Sequence, residues 1–424
     1  MSTSNFCYDP FDPATRADPY SYYSVLRESH PVYFAEQSSA WCVSRYEDVM
    51  AVLTSPESFS SDAMQTMMMG FRPGTDPTAD PAALQSLMML AELLPFSLDQ
   101  LLSARSLIAS DPPMHRLMRS IVNRGFTPRR IAAVEPRAKQ IVSDCMAGLY
   151  NGQSFDVIAD LAIPLPVIII AELLGVEPDR RADFKEWSDK LVAGATGSGR
   201  GGDPITSGFG PAIASFCEYF VEIAARRRRE PQDDLISALV RDDGQESLDE
   251  INAVFFALLL LVAGNETTTN LIGNAVRALL AHPDQLALVS SDMNAMVPRL
   301  VEETVRWDGP VQFVFRRAVS DVDVAGTTIP AGQTVIPLLG SANRDSAAFK
   351  EADRFDVLRE QRAHVGFGFG IHFCLGAALA RLEARVALDA LIPELPRIRL
   401  SDEPVEFVDS YLVRGPRELR LSAI

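Results

Sequence analysis

Cysteine is scarce and unpaired in this sequence. Cys7, Cys42, Cys145, Cys217 and Cys374 are far apart and odd in number. That excludes a disulfide framework, offers no zinc or iron–sulfur ligand spacing, and fits a reducing compartment. Long apolar runs are missing too. The longest, Ala253 to Ala263, stops at Gly264-Asn265-Glu266, well short of the roughly 20 residues a bilayer requires. Met1 to Tyr23 is polar and acidic, with no signal-peptide or anchor pattern. A soluble protein with no membrane partner is expected. Positive charge is in deficit: the net charge of −17 argues against nucleic acid as a partner. With 424 residues, 47% of them hydrophobic and 22% charged, the chain can bury a large core.

Helical periodicity dominates what is present. Ala17 to His30 reads as a short amphipathic helix, and Val32 to Phe34 with Ala40 to Val43 as a hairpin. A helix follows over Tyr46 to Leu53. Phe59 to Ser110 holds six of the thirteen methionines, with helices expected over Pro81 to Leu93 and Ser97 to Ile108. Flexible thioethers suit either plain packing or a broad apolar pocket. Thr127-Pro128 should cap a helix reaching Leu149. Leu161 to Leu174, Pro178 to Val192 and Pro211 to Arg229 also read as helices. Gly194 to Gly202 lies between the last two as a flexible loop, and Arg226 to Arg229 as a solvated helix end. Ser247-Leu248-Asp249-Glu250 has the form of a capping box. The helix it opens should run to about Leu280 and is apolar almost all round, hence buried. Val311 to Val319, Val322 to Ile329, Thr334 to Leu339 and parts of Val405 to Leu421 carry strand signals.

Three stretches carry chemistry. The first is Phe367-Gly368-Phe369-Gly370-Ile371-His372-Phe373-Cys374-Leu375-Gly376. Its glycines permit positive φ and close backbone approach to something flat. Cys374 stands just before a helical apolar pattern, where free N–H groups favour a thiolate. A thiolate restrained by hydrogen bonds is what a haem iron needs as an electron-donating ligand. The second is Ala263-Gly264-Asn265-Glu266-Thr267-Thr268. Charged and hydroxyl groups inside a buried helix are costly unless paired or functional, and Gly264 would let a flat cofactor approach or the helix open. The third is Asp111-Pro112-Pro113-Met114-His115-Arg116-Leu117-Met118-Arg119, where His115 and Arg119 share a helix face and a guanidinium suits a carboxylate.

Together these stretches resemble the cytochrome P-450 superfamily, the haem-thiolate monooxygenases, over roughly nine tenths of the chain. The resemblance implies a mostly α fold with a small β part, the haem (iron protoporphyrin IX, heme b) buried between a long central helix and the cysteine loop. It implies one domain over 1–424, with 1–17 an irregular arm. Cys374 would be the metal ligand. Glu266 and Thr267 would be the catalytic acid–alcohol pair that supplies protons for dioxygen cleavage. His115, Arg119, Arg316 and His372 would hold the propionates, with Arg317 able to exchange roles with Arg316. Ala263, Gly264, Phe367, Gly368 and Gly376 would complete the cofactor cradle. Glu303 and Arg306 would form a buried network beneath the cysteine loop with a third arginine, Arg354. Phe255, Phe256, Leu259, Val262, Phe313, Val314 and Tyr411 would face an apolar small-molecule substrate. The unit from Pro178 to Arg229 would be a mobile lid.

The implied reaction is monooxygenation with dioxygen. Electrons would come from NAD(P)H through a separate ferredoxin and ferredoxin reductase, and Arg124, Arg129 and Arg130 could help dock the donor. A cytoplasmic monomer is implied. Two other readings compete: a hydrogen-peroxide-driven peroxygenase, and a non-catalytic haem sensor or recruiting module. The intact pair Glu266 and Thr267 argues against both.

Overall fold

The computed structural model describes residues 6–68, 81–150, 154–195, 209–241, 246–360, 362–400 and 404–423. The chain is mostly helical with small sheets, as expected. One helix, Glu250–Ala281, runs 32 residues through the molecule. Ile251 to Leu261 pack in one apolar cluster with the helices Pro164–Leu174 and Phe209–Arg229. Leu271 to Leu279 pack in a second with Pro128–Tyr150, Met293–Trp307 and Ala377–Leu391. The helix is apolar on most sides because it crosses both clusters. Leu271 and Leu279 are 2% and 0% exposed, and burying each contributes roughly 1.5–3 kcal/mol. The polar segment 263–268 is thereby fixed where the clusters meet.

The cap of this helix corrects the expectation. Asp249, not Ser247, is the N-cap, its side chain accepting from the Asn252 N–H. The expected Ser97–Ile108 helix is also broken. Ser97 does form a capping box with Gln100, but the helix covers Leu98–Ser103 and a single turn follows at Leu107–Ala109. The Arg105 N–H leaves the helical ladder for the Asn252 side chain, 2.8 Å away. Thr127 caps as expected, its hydroxyl accepting from the Arg130 N–H. The arm 1–17 is not wholly irregular: Pro13–Ala17 is a short helix capped by Asp12.

The main sheet has five strands in the order Val32–Ala35, Ala40–Val43, Thr334–Pro337, Arg316–Ala318, Phe59–Ser60. The predicted hairpin forms, with Val32 opposite Val43. The predicted strand Val311–Val319 shrinks to Arg316–Ala318. Continuing it would set Val314 against Pro337, which has no N–H to give, so the ladder stops. Val311 keeps an isolated bridge to Val413.

The arginine run 226–229 is solvated only in part: Arg229 is exposed, but the others are drawn into contacts. Arg227 is 4% exposed and ion-paired with Asp234, while Arg226 pairs with Glu177. Val157–Leu174 and Glu250–Ala281 are long and apolar enough to cross a membrane by length and composition; 61% and 50% of their apolar 18-residue windows are buried within the protein. They serve here as core helices. The Gly-rich loop lies mostly outside the described residues, as does 69–80 of the methionine-rich segment.

Candidate haem site and central helix

The cysteine loop folds as its glycines require. Gly368 and Gly370 take φ of 69° and 70°, values that only glycine adopts freely. A Cβ on Gly370 would stand 2.7 Å from the Leu53 carbonyl oxygen. The Cys374 N–H donates to the Phe367 carbonyl at 2.9 Å, and the helix Ala377–Leu391 starts directly after. Cys374 is exposed on one side. Dense packing on its other side raises the thiol pKa, opposed by the N–H groups of Gly376 and Ala377 and the charges of Arg119 and Arg381. These N–H groups and cations favour the thiolate form.

Four nitrogen-bearing side chains converge beside the loop. His115, in the helix Met114–Asn123, is 2% exposed, and both of its ring nitrogens lack a hydrogen-bond partner. Its ring centroid lies 4.4 Å from that of His372. His372 meets the Ser61 hydroxyl at 2.9 Å. Burial, then the charges of Arg316, His115 and Arg119, push its pKa down to about 3. Arg119 donates to the Phe373 carbonyl at 2.9 Å. Arg316 is 5% exposed and donates to its neighbour Phe315's carbonyl; burial draws its pKa down to about 10. Arg317 is already committed to Asp62, so it does not exchange with Arg316. Buried donors without partners cost roughly 1–3 kcal/mol each. This cluster of donors and cations fits the carboxylates of an acidic cofactor, and with Cys374 it fits haem.

On the long helix, Asn265 donates to Ser188 at 3.1 Å and Thr269 to the Ala162 carbonyl at 2.9 Å. Thr267 donates to the Ala263 carbonyl at 2.6 Å, and Ala263 is exposed. Glu266 is partly buried, and its carboxyl makes no hydrogen bond or ion pair among the described residues; burial pushes its pKa up to about 8. The helix does not open at Gly264. A Cβ there would stand 2.8 Å from Ile170 Cδ1, so this glycine serves helix–helix packing as well. Phe313 is 3% exposed and packs against Phe11 and Phe315, while Phe256 is 3% exposed in the core. Phe255, Leu259 and Val262 are half-buried.

Glu303 and Arg306 pair in the buried manner expected, at 2.8 and 2.7 Å. The third arginine is Arg359, not Arg354. Arg359 Nε lies 3.2 and 3.3 Å from the two Glu303 oxygens. Arg354 contributes its backbone carbonyl, and its side chain, 55% exposed, points to Glu351. The segment is irregular, so turn geometry decides which arginine faces inward. Sequence reasoning also missed Ser61, Glu302 and Glu383. Glu383 is 2% exposed on the helix after the cysteine. Its position among Leu379, Leu382 and Val386 on that helix was the available signal.

A mostly helical chain that presents a thiol loop beside a cluster of nitrogen-bearing side chains, with both ring nitrogens of buried His115 unpartnered, defines a haem-thiolate protein. The family profile described as Cytochrome P450 matches residues 212–404. Cytochrome P450 107B1 of Saccharopolyspora erythraea is 37% identical, covering 96% of each chain. The vitamin D(3) 25-hydroxylase of Pseudonocardia autotrophica is 38% identical over 96% of this chain and 94% of its own. The crystal structure of CYP109E1 from Bacillus megaterium in complex with testosterone superposes with a TM-score of 0.80 at 32% identity, covering 96% of this chain and 99% of that one. The chain belongs to the cytochrome P450 family. It is a P450 monooxygenase, and its cofactor is heme b.

Proposed function

We propose that this protein inserts one atom of dioxygen into a steroid- or terpenoid-sized apolar molecule, with the other atom leaving as water. The vitamin D(3) hydroxylase and the testosterone complex support that substrate class. So do the half-buried Phe255, Leu259 and Val262 on the central helix. Haem, when bound, supplies the oxygen-activating chemistry. Cys374 is its thiolate ligand, and His115, Arg119, Arg316 and His372 hold its carboxylates.

The observation that carries the reading is Glu266, an unpartnered carboxyl in the middle of an apolar helix. Its raised pKa keeps the proton on at neutral pH, ready for transfer. Thr267 keeps its oxygen lone pairs free to accept from water while its proton is held by the Ala263 carbonyl. Electrons come from a separate ferredoxin and ferredoxin reductase using NAD(P)H, and the protein works in the cytoplasm.

The test is NAD(P)H-driven turnover with ferredoxin and reductase on a panel of steroids and terpenoids, wild type beside Glu266→Gln. Wild type should couple reductant use to product, and Glu266→Gln should lose at least tenfold in coupled turnover. Efficient turnover with hydrogen peroxide and none with ferredoxin would overturn the reading in favour of a peroxygenase.

A further inference from the structure

Glu302 sits beside Glu303 in sequence but serves a different set of partners. It makes a two-pronged pair with Arg381, Nε to Oε1 at 2.6 Å and Nη2 to Oε2 at 2.9 Å. His364 Nε2 approaches its Oε2 at 3.2 Å. Burial alone would push the Glu302 carboxyl up; the hydrogen bonds from His364 and Arg381 hold it down at about 2. Its charge is therefore permanent. The geometry is that of a fork locked on a carboxylate.

The locked guanidinium lies over the Phe367 ring, 4.4 Å from its centroid. The His364 ring lies 5.9 Å from the same ring. Phe367 is the residue whose carbonyl accepts from the Cys374 N–H. One residue thus joins the clamp to the backbone of the cysteine. Arg381 also lies close enough to favour the Cys374 thiolate by charge. The Arg381 and Glu302 side chains are 37% and 27% exposed, and an ion pair that accessible contributes little to stability. Its geometry points to the loop instead.

We propose that Glu302, Arg381 and Phe367 form a positioning clamp that fixes the cysteine loop and sets how strongly its sulfur donates to the cofactor. This rests on the reading of Cys374 as the haem ligand. Arg381 supplies a cation near the thiolate, which withdraws charge from sulfur and favours the reduced state. Glu302 sets where that cation stands and partly offsets it.

The experiment is a reduction-potential titration of the haem-loaded protein for wild type, Arg381→Gln, Arg381→Lys and Glu302→Gln, with thermal melts in parallel. Arg381→Gln should shift the potential negative. Arg381→Lys should restore part of that shift, because it keeps the charge but loses the planar stack. Glu302→Gln should shift the potential positive, because an offsetting anion is gone. A potential unchanged in Arg381→Gln would overturn the proposal. So would three variants shifting the same way in step with their loss of melting temperature, since that is a purely structural effect. A wild type that lacks the thiolate signature in its reduced carbon-monoxide spectrum would instead bring down the ligand reading beneath it.

Discussion

Replacing Glu303 by glutamine tests the buried network of Glu303, Arg306 and Arg359. Glu303 is 5% exposed and accepts from Arg306, from Arg359 and from the Asp356 N–H at 2.9 Å. Arg306 is 3% exposed; without its carboxylate it becomes a buried cation held by carbonyls alone. Breaking one side of a buried pair costs roughly 3–5 kcal/mol. The unfolding entropy is about 2.1 cal/mol/K per residue, or roughly 0.9 kcal/mol/K over 424 residues. The melting temperature should therefore fall by about 4 °C. Arg359→Ala should cost about half as much, since it removes one charged partner, roughly 1.5–3 kcal/mol. Arg354→Ala should stay within about 0.5 kcal/mol of wild type, as an exposed position does. Thermal melts of the haem-loaded protein measure all three. Equal losses in Arg354→Ala and Arg359→Ala, or none in Glu303→Gln, would refute the reasoning.

Two further outcomes follow from buried polar groups. Glu383 is hydrogen-bonded to Thr268, its Oε1 has no partner, and burial raises its pKa from 4.5 to about 8. The native state then holds the proton longer than the unfolded chain, so stability is full below about pH 4.5 and falls as pH rises towards 8. Denaturant titrations between pH 5 and 9 should show that fall, about 4 kcal/mol from Glu383, and Glu383→Gln should remove that share while the fall due to Glu266, whose carboxyl is raised in the same way, remains. His115→Phe removes two unpartnered nitrogens. The cofactor-free protein should melt no lower than wild type, while haem is lost several-fold faster; unchanged haem retention would count against His115 as a propionate partner.

The sequence was most informative where backbone geometry restricts residue choice. Gly368 and Gly370 take positive φ, and Cys374 opens a helix. Glu266 stood out because a carboxyl inside an apolar helical run has few inexpensive explanations. The apolar pattern of Ala253 to Leu280 gave the central helix and its burial. Features set by long-range folding were not legible. Arg354 and Arg359 are near neighbours in an irregular segment, and only its turns select Arg359. The run Arg226 to Arg229 looks like a solvated helix end until Asp234 is found folded against Arg227. Glu302 drew no reading from the sequence, because its partner Arg381 is 79 positions away. Pro337 ended a strand that the alternation of the opposite segment alone would have extended.

The central claim is that Cys374 ligates haem as a thiolate. The most direct measurement is the reduced, carbon-monoxide-bound difference spectrum of wild type beside Cys374→Ala. The account predicts a strongly red-shifted Soret band in wild type that disappears in the variant. Its absence from well-folded, haem-loaded wild type, or its persistence in Cys374→Ala, would contradict the assignment on which the rest depends.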